Sequence, residues 1–288
     1  MTVDVAVNIS TTGHRSGTKS FAVTLMNRLA FEYFKKDQDS GFEDVIVVDP
    51  KTHAFDALQK LTKNIPKAWY ELSSLSLKDR VDFSTDFCLK TLPYTPNTYQ
   101  LVYDFFLKLE DVSIVLTKKK NHPYKVELVY SMQNDTTFFR GQPSLNDETI
   151  SQINSKFKNA LPRDFLKFLK IHSGFAKNSD TGIIEAENIF EITNHLRELI
   201  KSQNKTIKSG SSVIDPKDLI FFYQSYDQMD FQCFLASWYP ISEMGNVYFS
   251  YVDSTVSNYK NSSLETLSFP TFLDWLMFYL EIMDFNDL

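Results

Sequence analysis

Only 8 of the 288 residues are glycine, fewer than half the usual share of about 7%. Folds whose chemistry rests on several glycine-rich phosphate loops are therefore not expected, because such loops need glycine where the backbone turns its N–H groups onto a ligand. Cysteine is rarer still. Cys88 and Cys233 stand far apart, which excludes a disulfide framework and favours a reducing compartment. Long apolar runs are missing: the longest strongly apolar stretch, Trp275–Leu280, cannot span a bilayer. Met1-Thr-Val-Asp4 has neither the basic nor the apolar region of a secretory signal. A cytoplasmic protein without a membrane partner is expected. Excess positive charge is also lacking. With 30 Lys+Arg against 36 Asp+Glu the net charge is −6, so a phosphate-gripping face, and with it a nucleic-acid partner, is not expected.

What is present is a globular composition, 43% apolar and 23% charged, with 25 Phe and 14 Tyr. The acidity is concentrated. Residues 1–145 carry 18 basic and 17 acidic side chains, a balance of +1; residues 146–288 carry 12 and 19, a balance of −7. An acidic half suits a basic partner.

Along the chain, Val3–Asn8 reads as a strand, and Phe21–Phe34 as a helix with Phe21, Leu25, Leu29 and Tyr33 at helical spacing. Val45–Val48 is a short strand, Ala54–Ile65 a helix ended by Pro66, and Tyr99–Leu109 a helix. Val112–Thr117 and Tyr124–Met132 form a hairpin through Lys118–Pro123. Arg140-Gly-Gln-Pro-Ser144 marks a boundary, dividing the chain into an N-terminal α+β domain of residues 1–143 and a second domain of residues 144–288. Beyond it, Ser144 or Asn146 caps a helix with Ile150, Ile153 and Phe157 on one face. Pro162 opens a second helix and Ile189–Lys201 makes a third. Ser202–Ser212 reads as a polar loop. Three strands follow, Leu219–Tyr223, Phe231–Trp238 and Asn246–Val252, before a last helix introduced by Ser268. Helices, then strands, then a helix is an α+β order.

Candidate chemistry is sparse. Gly13–Ser20 lies between a strand and a helix, as a phosphate-binding loop does, yet Thr18 stands where the motif needs its second glycine. An NTP-binding enzyme using this degenerate loop is the alternative reading; an ordinary capped helix start is the simpler one. No two of His14, His53, His122, His172 and His195 are spaced as helical metal ligands, and no nucleophile elbow occurs. No metal, cofactor or catalytic residue is expected. Glu185/Glu187 and Asp227/Asp230 are paired carboxylates that on a surface simply solvate. Lys118–Lys120 is a solvated turn.

The three late strands carry Phe221, Phe222, Tyr223, Phe234, Trp238, Tyr248, Phe249 and Tyr251. Strand alternation places Phe221 with Tyr223 on one face and Phe222 on the other. Most of these rings are core. The rest, with the acidic residues around them, form the expected protein-binding set: Trp238, Tyr239, Tyr251, Asp227, Asp230 and Asp253.

The second half resembles the SUKH superfamily of fungal cell-wall-assembly regulators and bacterial toxin-immunity proteins. The resemblance rests on Leu145-Asn-Asp-Glu-Thr-Ile150, then Leu161-Pro162-Arg-Asp-Phe165-Leu-Lys-Phe168-Leu and Ser173-Gly174. It continues in Gly245-Asn-Val-Tyr-Phe249, Asp253 and Ser268-Phe269-Pro-Thr-Phe272-Leu-Asp-Trp275-Leu. Gln224–Asp230, ahead of the central strand, contains no glycine, where many members are rich in glycine and aspartate. The resemblance implies helices packed on a mainly antiparallel sheet and a non-enzymatic binding role. The partner would be another protein, a basic toxin or a signalling protein.

Overall fold

The computed structural model describes residues 27–34, 41–133, 136–238, 244–257 and 267–280. The strand expected at Val3–Asn8 and the loop Gly13–Ser20 lie outside them, as do residues 21–26 of the helix expected at Phe21–Phe34, whose later part is helical over Arg28–Tyr33. Within the described residues the architecture is α+β, and twelve strands join in one sheet.

The first four strands are β1 (Phe42–Val47), β2 (Leu109–Lys119), β3 (Lys125–Met132) and β4 (Phe138–Gly141), each antiparallel to the next. The β2–β3 hairpin is the one the alternating sequence predicts. Its strands are buried along nearly their whole length, because both faces are covered. Ile114, Leu116 and Leu128 face the main core. Val115 and Val129 point the other way, into a smaller cluster with Phe34, Phe42 and Phe138 beneath α1 (Arg28–Tyr33).

Between β1 and β2 run α2 (Phe55–Leu61), α3 (Lys67–Ser73), α4 (Leu77–Thr91) and α5 (Pro96–Leu107). Hydrophobic spacing predicts α2 and α5 but not α3 or α4. The reason for α4 is an inverted face. Its buried side consists of Arg80, Ser84, Thr85 and Cys88, whereas Phe83 and Phe87 are exposed.

The second half contributes α6 (Asp147–Lys156), α7 (Arg163–Phe168), β5 (Phe175–Lys177), β6 (Gly182–Ile183) and α8 (Ile189–Ser202), then β7 (Ile207–Ser209) and β8 (Ser212–Ile214). It ends with β9 (Leu219–Gln224), β10 (Asp230–Leu235), β11 (Asn246–Ser250), β12 (Thr255–Val256) and α9 (Phe272–Tyr279). Asn146 caps α6 through Thr149 N–H, as predicted. Three local expectations are corrected. The polar stretch Ser202–Ser212 is not all loop: Ile207 and Ile214 are buried and pair across a tight turn in which Gly210 takes φ 58°. The last helix is capped by Thr271, whose side chain and that of Asp274 satisfy each other's backbone N–H groups, and not by Ser268. Phe222 and Tyr223 both reach α9, packing on Trp275 at 4.9 and 5.2 Å, while Phe221 packs on Phe231 and Phe249. A register shift opposite Gln232/Cys233 leaves Phe222 as an extra residue, and a bulge breaks strand alternation.

The sheet runs in the order β1-β2-β3-β4-β5-β6-β9-β10-β11-β12-β7-β8, with β12 and β7 parallel. It passes through the sequence boundary without interruption, since β4 pairs with β5 and one apolar core spans both halves. Arg140 of β4 donates to the Asn178 and Asp180 carbonyls and pairs with Glu127 at 2.9 Å.

His172 sits at this junction. Its Nδ1 lies 2.8 Å from the Gln142 carbonyl and its Nε2 2.8 Å from the Tyr130 hydroxyl. A carbonyl only accepts, so Nδ1 carries the proton and Nε2 accepts from Tyr130. Burial opposes the imidazolium and pulls the pKa from 6.5 to about 4, against the Gln142 bond. The unfolded chain therefore binds the proton first on acidification, and stability falls as pH drops from about 6.5 to about 4. The loss from this residue should approach about 3 kcal/mol. Urea midpoints across that window should fall with acid in the native protein. The fall should be shallower in His172→Gln; equal slopes would refute the assignment.

Candidate protein-binding surface

Strand pairing determines which of the sequence-selected residues meet. Asp230 opens β10 and is the register partner of Ser250, where β11 ends. The turn between β9 and β10 and the turn after β11 therefore emerge at the same end of the sheet, tied by the Tyr251 N–H to the Met229 carbonyl at 2.9 Å. Asp227, Asp230, Tyr251 and Asp253 are thereby brought to one edge. Asp227 and Asp253 are exposed; Asp230 and Tyr251 are half-buried. Burial, together with the adjacent Asp230 carboxylate, raises the Tyr248 phenol to about 12.

Tyr251 is clamped in place. Lys205 donates to its carbonyl at 2.7 Å and sits over its ring at 3.7 Å, so this ring serves the fold before it serves a partner. Trp238 is elsewhere. It lies beyond the far end of β10, is 8% exposed, and packs so closely on Gly245 that a Cβ there would stand 2.3 Å from the indole. Its ring is covered rather than offered at the surface, because the close approach of glycine seats it in the core. Tyr239 lies outside the described residues.

Two exposed apolar side chains at this edge escape selection by strand reasoning: Tyr226, 53% exposed, and Val252, 75% exposed. Each sits in a polar turn, Ser225-Tyr-Asp-Gln228 or Val252-Asp-Ser254. The available signal is a large apolar residue flanked by turn-forming polar ones, with no strand or helix to bury it.

The turn bearing Tyr226 is held from behind by Asp180, a carboxylate only 1% exposed. Its Oδ1 accepts from the Tyr226 N–H at 2.8 Å; its Oδ2 accepts from the Tyr223 and Tyr279 hydroxyls at 2.9 and 2.7 Å. Thr181 Oγ1 accepts from the Asp227 N–H at 2.6 Å. Every partner of Asp180 belongs to the fold, so it positions the turn and performs no chemistry of its own.

A second exposed apolar surface lies in the first half. Phe83 and Phe87 stand one turn apart on α4, and Tyr99, Tyr103 and Leu107 one turn apart on α5. Sequence reading expects a helix over Tyr99–Leu109 and makes no assignment over Leu77–Thr91, so neither set of exposed rings is anticipated.

The remaining candidate chemistry resolves into structural roles. Burial pushes the Cys88 thiol up to about 12 and Cys233 well above its ordinary value, which removes thiolate character from both. Burial alone would raise the Glu185 carboxyl, but its bonds to Lys125 at 2.6 Å and Gln142 at 2.8 Å hold it below the ordinary range. Among the described residues no three His, Cys, Asp or Glu side chains are placed to hold a metal ion, and no described helix is long and apolar enough to cross a membrane.

Residues 144–277, in the C-terminal half, match the SMI1 / KNR4 family (SUKH-1). No curated protein and no solved structure matches the chain.

Proposed function

We propose that this chain, with its SUKH-1 domain, is a non-enzymatic protein-binding module of the toxin-immunity or regulatory-scaffold kind. The observation that carries the reading is the meeting of Asp227, Asp230 and Asp253 with exposed Tyr226 and Val252 at one end of the SUKH-1 sheet. Carboxylates around apolar anchors suit a basic protein partner: the charge steers encounter and the anchors supply affinity. The −7 balance of residues 146–288 supports the same partner class.

The α4–α5 surface supports a second docking face, because α4 buries polar side chains while exposing Phe83 and Phe87. One experiment separates the two. Tagged full-length protein is used to capture partners from native lysate in three forms: native, Asp227→Lys/Asp253→Lys, and Phe83→Ser/Phe87→Ser. Under the sheet-end reading, the charge-reversed variant loses the captured protein at least tenfold, about 1.4 kcal/mol or more, and the α4 variant retains it. The opposite pattern assigns the interface to α4. Capture unchanged in both variants refutes both surfaces.

A further inference from the structure

We infer that Tyr226 is a recognition anchor held ready in a strained turn, and that its occupant is an arginine-bearing segment of the protein partner. The inference rests on the protein-binding reading and deepens it. Gln228 N–H donates to the Ser225 carbonyl at 2.7 Å, closing a four-residue turn. Both central residues, Tyr226 at φ 44° and Asp227 at φ 58°, are left-handed. Such turns suit the twist of a hairpin but favour Asn-Gly or Asp-Gly. Aspartate tolerates the left-handed region; a bulky tyrosine does so only at a cost.

Nothing in the fold rewards that cost through the side chain. The ring is 53% exposed and enters neither apolar cluster, and no described side chain or backbone group bonds its hydroxyl. The conformation is imposed from the backbone side by Asp180 and Thr181. Backbone strain retained at an exposed ring points outward, to something the ring meets. The chemistry at hand selects that something. Tyr226 offers a π-face on which a guanidinium stacks. The neighbouring exposed Asp227 has its Oδ1 held only by Thr181 at 3.1 Å, leaving Oδ2 to accept. A planar cation that donates sideways while stacking is arginine; an ammonium group satisfies only the charge.

Two measurements test this on the full-length chain. Thermal melts compare native protein with Tyr226→Asn and Tyr226→Gly. If the ring serves only recognition, Tyr226→Asn melts at or above the native temperature; a fall of several degrees makes the ring part of the fold and overturns the assignment. Amide NMR titrations then use capped tri-arginine and capped tri-lysine peptides as probes. Tri-arginine is expected to shift residues 225–228 of native protein, with a response reduced at least threefold in Tyr226→Asn and for tri-lysine, in keeping with a cation–π contribution of about 0.5–1 kcal/mol at an exposed site. A tri-arginine response unchanged in Tyr226→Asn, equal for tri-lysine, or absent from this turn overturns the proposal. Should Tyr226 fail while the Asp227→Lys/Asp253→Lys variant still loses its partner, the binding surface stands without this anchor.

Discussion

Residues 144–288 expressed without the first 143 are expected to form no stable monomer, although the family match falls wholly within them. The deletion removes β4 from β5, leaving the backbone of Phe175–Lys177 as a bare edge. It removes Tyr130, so His172 keeps a buried ring nitrogen with no partner, and Phe139, whose ring stacks on Phe175 at 5.7 Å. It also removes Phe105 and Phe106, which with Phe168, Ile171, Leu276 and Leu280 line an apolar cavity of about 40 Å³ between the halves. Each fully buried aromatic ring that is lost exposes its partners at a cost of about 2 kcal/mol. An orphaned buried nitrogen costs a further 1–3 kcal/mol or so. Against a whole-domain stability of about 5–15 kcal/mol, these losses are decisive. The fragment should aggregate or show helical far-UV dichroism without a near-UV signal, while the full chain melts in one transition. A monomeric fragment with a sharp cooperative melt would show that the second half is self-sufficient.

The second large effect is expected at Arg80 and Asp111. These residues are 4% and 0% exposed, and the guanidinium meets the carboxylate at 3.0 Å with Ser113 donating to the other oxygen at 2.5 Å. Arg80 Nε has no hydrogen-bond partner among the described residues. Burial pushes the Asp111 carboxyl up, more than Ser113 and Arg80 pull it down, so the pair is costly to keep dry. Asp111→Ala, which strands a buried cation, should lose roughly 3–5 kcal/mol in denaturant titrations. Replacing the whole group, Arg80→Met/Asp111→Leu/Ser113→Ala, should recover to within about 1 kcal/mol of native, because no unpaired charge remains. If the triple variant is as unstable as the single one, the cost comes from packing and the ionic account fails.

These two sites show where sequence reasoning stops. The β2–β3 hairpin, the cap of α6, the starts of α7 and α8, and the three late strands follow local rules, since alternation, caps and proline act within a few residues. α4 obeys only the capping rule, through Ser76 and the Asp79 N–H; its apolar spacing misleads. Its helix packs through Arg80, Ser84 and Thr85, and the aspartate that makes that burial tolerable lies 31 positions away in sequence. The bulge at Phe222 is equally hidden, because an extra residue in one strand is defined only by the register of its neighbour.

The candidate surface divides the same way. Acidic charge in the second half and the family signature are written in the composition and order of residues. Trp238 and Tyr226 exchange places only in three dimensions: Gly245 approaches the indole and closes it into the core, while a buried Asp180, 46 residues before it, turns Tyr226 outward. By itself the sequence determined the α+β class, the acidic C-terminal half and its kinship, all of which depend on residue types and short spacings. The continuous sheet across both halves, the buried ion pair and the identity of the exposed rings were decided by tertiary structure, because each depends on which distant groups share a low-dielectric interior and which are left facing water.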